Sequence, residues 1–111
     1  MPQGYIYLAI AILGEVVATS ALKAANGFSE TLPSILVVIG YGVAFYYLSL
    51  SIKTIPLGIS YAIWSGVGVA AVSVVGWVYY KQALDLAALI GMAMILGGVL
   101  VIHLFSNTAA H

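Results

Sequence analysis

One carboxylate in this sequence has no cation placed to neutralise it. Glu15 lies in an apolar run, ten residues after Tyr5 and eight before Lys23, which on a helix rising 1.5 Å per residue puts it roughly 12–15 Å from either end. Near the middle of a bilayer an ionised side chain costs about 2.5 kcal/mol or more unless it is paired or hydrated. The three lysines, Lys23, Lys53 and Lys81, stand at the ends of apolar runs, and His103 is close to the end of the last one. The charge on Glu15 must therefore be cancelled by a visitor, either a proton or a cationic ligand. Burial favours the neutral form of an acid, so the two visitors compete, and mutually exclusive occupancy of one carboxylate is a sufficient physical basis for exchange. The competing reading is a permanently protonated acid that hydrogen-bonds a neighbouring helix for packing.

Helical spacing gives Glu15 its surroundings. Leu8, Ala11, Ile12, Ala18, Thr19 and Leu22 share its face, while Ile6, Ile10, Leu13 and Val17 take the opposite one. The small residues leave room for a ligand or let helices approach; taken alone, they favour packing. Tyr41 lies eight residues into the second apolar run and Trp64 eight beyond Pro56 in the third, so both match the depth of Glu15. Phe45 follows Tyr41, and Tyr61 precedes Trp64, by about one turn. Aromatic faces with one acid can hold a quaternary or aromatic cation, although aromatic stripes also serve as packing. Gly66 and Gly68, near the middle of the third run, read as a hinge or as a close-packing site. Gly91, Ile95 and Gly98 form a small-residue stripe suited to helix association, assigned here to dimerisation.

Other chemistry is poorly supported. Asp85 reads as a helix N-cap or an early-turn acid, and His103 and His111 as interfacial and tail residues. Two separated histidines without acids make no metal site, and no phosphate-binding loop or nucleophile–base–acid set is present. No cofactor is implied and no enzymatic role is expected.

The elements that position these residues follow from composition. Of 111 residues 64% are hydrophobic and 5% charged, with a mean hydropathy of +1.17, whereas soluble domains carry roughly a quarter charged residues. The expected solvent is lipid. Zero net charge without a basic cluster removes the footprint that nucleic-acid binding needs. Spans of about 20 apolar residues are predicted at roughly 5–22, 33–52, 57–80 and 86–105, in one transmembrane domain covering 1–111. The N-terminal run, lacking a basic start, reads as a retained span. The short break from Lys53 to Pro56 implies an antiparallel hairpin of the second and third spans, and Lys81 to Asp85 implies another for the third and fourth. Four spans put both termini and Lys53 on one side, with Lys23 and Lys81 on the other. A difference of one lysine is a weak orientation signal, so the expectation is insertion both ways round and pairing as an antiparallel dimer, against one fixed orientation.

Several stretches together resemble the small multidrug resistance transporters along essentially the whole chain. They are Gly14-Glu15-Val16-Val17 with Lys23, Gly27-Phe28-Ser29 with Pro33-Ser34, Ile55-Pro56 with Gly58, Tyr61-Ala62-Ile63-Trp64-Ser65-Gly66-Val67-Gly68, Leu84-Asp85, and Ile90-Gly91-Met92. The resemblance implies an all-α, dual-topology antiparallel homodimer of four-span chains in the bacterial inner membrane. It implies exchange of protons for lipophilic cations, with both Glu15 carboxylates facing one chamber. By the same likeness Tyr5, Leu8, Ala11, Ile12, Ala18, Thr19, Tyr41, Phe45, Tyr61 and Trp64 match chamber-lining positions. Gly66 and Gly68 match the flexible part of the third span, and Gly91 with Gly98 the dimer helix. Ala18 and Ser65 favour the multidrug branch over the guanidinium-exporting one; Asn26, Glu30 and Lys81 depart from the pattern. A heterodimer subunit, a cation-channel subunit and a non-transporting accessory bundle are the alternatives.

Overall fold

Four apolar runs form four α-helices because a backbone in lipid can satisfy its polar groups only internally. A computed structural model describes residues 2–106, with α1 Pro2–Ala25, α2 Thr31–Ser51, α3 Leu57–Val78 and α4 Leu86–Phe105. All four are long and apolar enough to cross a membrane. His111 lies outside the described residues.

The helix ends differ from the expected spans by a few residues, for local reasons. Pro2 opens α1 at a position where its missing N–H costs nothing. The same helix runs through Lys23 to Ala25 and stops where Asn26, Gly27 and Phe28 turn left-handed, at φ of 49°, 69° and 65°. Pro33 falls inside the first turn of α2, where N–H groups have no intrahelical partner, so the helix begins two residues ahead of it. α3 ends at Val78, short of Tyr80. Lys81 turns left-handed at φ 59°, and the Gln82 N–H returns to the Gly76 carbonyl at 2.9 Å. Asp85 caps α4 by accepting the Ala88 N–H at 2.9 Å.

Small residues decide which helices pack. A Cβ built on Gly40 would lie 2.8 Å from the Ala18 Cβ and 2.9 Å from the Gly14 carbonyl oxygen, and one on Gly14 would lie 3.2 Å from the Ala44 nitrogen. The axes of α1 and α2 therefore approach as closely as backbone allows along Gly14, Ala18, Gly40 and Ala44. The helices α2 and α3 stand apart, bridged by the Phe45 and Trp64 rings. α1 fills the gap against α3, and α4 lies on the far side of α3, where Ile95 and Val99 occupy the space a Cβ on Gly66 would need. None of the α4 residues is buried. The chain forms a layer of 45 × 34 × 16 Å, too thin to enclose a chamber of its own.

Candidate functional site

Glu15 is held by neutral hydroxyls. The Thr19 hydroxyl, one turn later on α1, donates to Glu15 Oε2 at 2.6 Å, and Thr19 Oγ1 is also 2.6 Å from the Tyr41 hydroxyl of α2. A hydroxyl has one proton to give, so with the Thr19 proton aimed at Glu15, Tyr41 is the donor in the second bond. The chain of donors thus runs from Tyr41 through Thr19 to the carboxylate, each bond polarising the next. These donors stabilise a negative charge but supply no positive one. On the other side, the backbone of α3 comes so close that a Cβ on Gly68 would sit 2.6 Å from Glu15 Oε1.

That contact yields a prediction. In Gly68→Ala the added methyl displaces the carboxylate from Thr19. A hydrogen bond to a charged group contributes about 1.5–3 kcal/mol, so binding of a lipophilic cation should weaken roughly tenfold or more. Titration with tetraphenylphosphonium checks this, and wild-type affinity would show that the close approach has no bearing on the site.

Glu15, Thr19, Tyr41, Tyr61, Trp64, Ser65 and Gly68 line an open cavity of about 410 Å³, extended towards one helix end by Val69, Val72 and Ser73. A relay of rings spans the gap between α2 and α3. Tyr41 and Phe45 have centroids 6.3 Å apart, Phe45 meets Trp64 edge-on at 5.6 Å, and Trp64 meets Tyr61 at 5.6 Å. Trp64 Nε1 is buried without a hydrogen-bond partner. Trp64 and Tyr61 thus wall one side of a cavity in which Glu15 is the one carboxylate among the described residues.

The remaining residues named from the sequence lie elsewhere in the single chain. Leu8, Ala11 and Ala18 are fully buried in the packing of α1, with Ala18 against Gly40. Ile12 is half-buried. Tyr5 sets its ring edge-on to His103 of α4 at 5.2 Å, with its hydroxyl buried and unpartnered. Phe45 stands behind Trp64, outside the cavity wall. Gly66 packs against Ile95 and Val99 of α4, unlike Gly68, which lines the cavity, and Gly91 and Gly98 face open space. Val69, Val72 and Ser73 were not among the residues named from the sequence, and Ser65 was not named as lining the site, although all four continue the Tyr61–Trp64 face at helical spacing. A larger hollow of about 500 Å³ between α3 and α4, around Trp77 and Met92, carries no ionisable side chain and offers a cation no counter-charge.

The profile of the family described as Small Multidrug Resistance protein matches residues 3–95. A multidrug transporter of Pseudomonas aeruginosa is 56% identical over 107 residues, covering 96% of this chain and 97% of the relative. The quaternary ammonium compound-resistance protein QacF of Klebsiella aerogenes is 50% identical over 109 residues, 98% of this chain and 99% of its own. The multidrug transporter EmrE of Escherichia coli is 46% identical over 107 residues, with coverage of 96% and 97%.

Proposed function

The chain belongs to the small multidrug resistance family, and from that premise we propose that it exchanges protons for lipophilic and quaternary ammonium cations, with both competing for Glu15. Its four membrane-length helices and this membership make it a multi-pass protein of the bacterial inner membrane. The relatives' names speak of multidrug transport and of resistance to quaternary ammonium compounds, and these are the substrate classes proposed here.

The observation that carries the reading is the setting of Glu15: an acid in the membrane whose hydrogen-bond partner Thr19 is a neutral donor, open to a cavity with aromatic walls. Hydroxyl donors lessen the cost of the charge without cancelling it, so the carboxylate favours any cation that reaches it. A proton does so as a covalent O–H. An organic cation does so by lying against Trp64 and Tyr61 while the carboxylate faces its charge. Neither can bind while the other is present, which links their movements when the protein changes facing only with the site filled.

A layer 16 Å thick leaves the cavity open. The assembly proposed is an antiparallel homodimer, in which a second copy closes the chamber and brings its own Glu15, with Gly91, Ile95 and Gly98 on the exposed α4 forming part of the contact. Gly66 and Gly68 then serve as the place where α3 bends between facings.

Purified protein in vesicles tests the exchange. An acid-inside pH gradient should drive accumulation of tetraphenylphosphonium, and collapsing the gradient should release it. Equal cation flux without a pH gradient would mark a passive channel and end the antiport reading.

A further inference from the structure

A third, smaller cavity of about 110 Å³ lies between the ends of α1 and α3, bounded by Thr19, Ser20, Lys23, Gly76, Tyr80 and Gln82. Thr19 and Val72 line both this cavity and the Glu15 chamber, so the wall between them is one side chain deep. Its outer side is fastened. The Tyr80 hydroxyl donates to the Ser20 carbonyl at 2.7 Å, across 60 residues of sequence, and Lys23 Nζ lies 5.7 Å from the Tyr80 ring centroid. Gln82 folds over Gly76, its Oε1 lying 3.0 Å from where a Cβ on that glycine would stand. Inside, Ser20 Oγ is buried with no hydrogen-bond partner.

We propose that this cavity is a water site that carries protons to and from Glu15 through Thr19, by a route separate from the one the organic cation takes, with Tyr80 as its door. The inference rests on the antiport reading. At a water's share of roughly 30 Å³ the cavity has room for about three molecules, and buried water needs two or more polar partners. Ser20 Oγ, the Gln82 amide and the second lone pair of Thr19 Oγ1 supply them. The same space is too small for a cation bearing several alkyl or aryl groups, and Lys23 at its rim repels one. A proton does not have to pass as an ion. A water in the cavity hands a proton to Thr19 Oγ1 as the Thr19 hydroxyl proton moves to Glu15 Oε2, and takes one in turn from the water outside it, so that only bulk solvent loses a hydronium. One O–H bond forms and one breaks at the hydroxyl, a new O–H forms on the carboxyl, and water remains in the cavity. Release runs the same steps backwards.

Stopped-flow measurement of proton release when tetraphenylphosphonium is mixed with the purified protein tests the route, alongside equilibrium titration of the same cation. Ser20→Val fills the cavity with methyl groups and should slow release tenfold or more while changing the affinity less than twofold. Ser20→Thr has the same shape but keeps a hydroxyl, and should release within threefold of the wild-type rate. Tyr80→Phe removes the fastening and should speed release at least threefold, which keeps the test open if Ser20→Val does not fold. Wild-type rates in Ser20→Val or Tyr80→Phe, or equal slowing in the Val and Thr variants, overturn the proposal. Absence of any proton release from the wild type is a different result: it removes the antiport reading, and this route with it.

Discussion

Glu15→Gln is expected to lose export of quaternary ammonium cations by at least about 100-fold, more than 2.7 kcal/mol at 1.36 kcal/mol per decade. The substitution is nearly isosteric, and the amide oxygen can still accept the Thr19 hydroxyl that now reaches Oε2 at 2.6 Å. What disappears is the negative charge. Without it the cavity holds an organic cation by ring faces alone, and no proton binds in the cation's place, so exchange has nothing to exchange. Glu15→Asp keeps the charge but withdraws it by one methylene, lengthening the bond to Thr19. It should retain exchange with a displaced pH dependence. Accumulation of a quaternary ammonium dye in vesicles, measured across pH, checks both, and undiminished transport by the Gln variant would refute a role for the carboxylate in coupling.

A second large effect is expected at Trp64. Its ring is the junction of the aromatic relay, touching both Phe45 and Tyr61, and it walls the cavity that Glu15 enters. A desolvated cation over an indole face gains about 2 kcal/mol, so Trp64→Ala should weaken tetraphenylphosphonium binding about 30-fold. Trp64→Phe keeps a ring face and should lose less than about fivefold. The Phe variant should also fold as stably as the parent, since it removes an indole N–H that is buried without a partner. Equilibrium titration decides the matter. Equal affinity in the parent and the Ala variant would make the aromatic relay a packing device and nothing more.

The spans were legible because lipid imposes a single rule, about 20 apolar residues per crossing, and breaks at Asn26-Gly27, Pro56 and Asp85 punctuate the chain accordingly. Depth was legible too: counting 1.5 Å per residue was enough to set Tyr41 and Trp64 level with Glu15, and all three line one cavity. Rotation about the helix axis was harder to read. Leu8, Ala11 and Ala18 share a face with Glu15 over a 3.6-residue period; taken alone the two alanines favoured packing, while the family resemblance matched all three to chamber-lining positions, and in the single chain all three are buried in the packing of α1, with Ala18 against Gly40. Such a contact is two residues in each helix, and nothing in one sequence says which small-residue pairs will meet.

Contacts between distant segments were not legible at all. The Tyr41–Thr19 bond spans 22 residues and the Tyr80–Ser20 bond spans 60. Both depend on α1 lying between α2 and α3, a consequence of Gly14 and Gly40 allowing one pair of helices to close while the α2–α3 hairpin stays open. Lys81, noted from the sequence as a departure, takes a left-handed backbone that favours glycine. Tyr80 immediately precedes it and turns back onto α1, so the unusual residue lies beside the fastening of the small cavity.

The central claim is that a proton and an organic cation compete for one carboxylate, and it can be measured without membranes or gradients. Detergent-purified protein in weak buffer should acidify the solution when tetraphenylphosphonium is added, to the extent that Glu15 was protonated, and Glu15→Gln should give no such response. Cation binding by the parent protein with no proton expelled at any pH at which it stays folded would contradict the account.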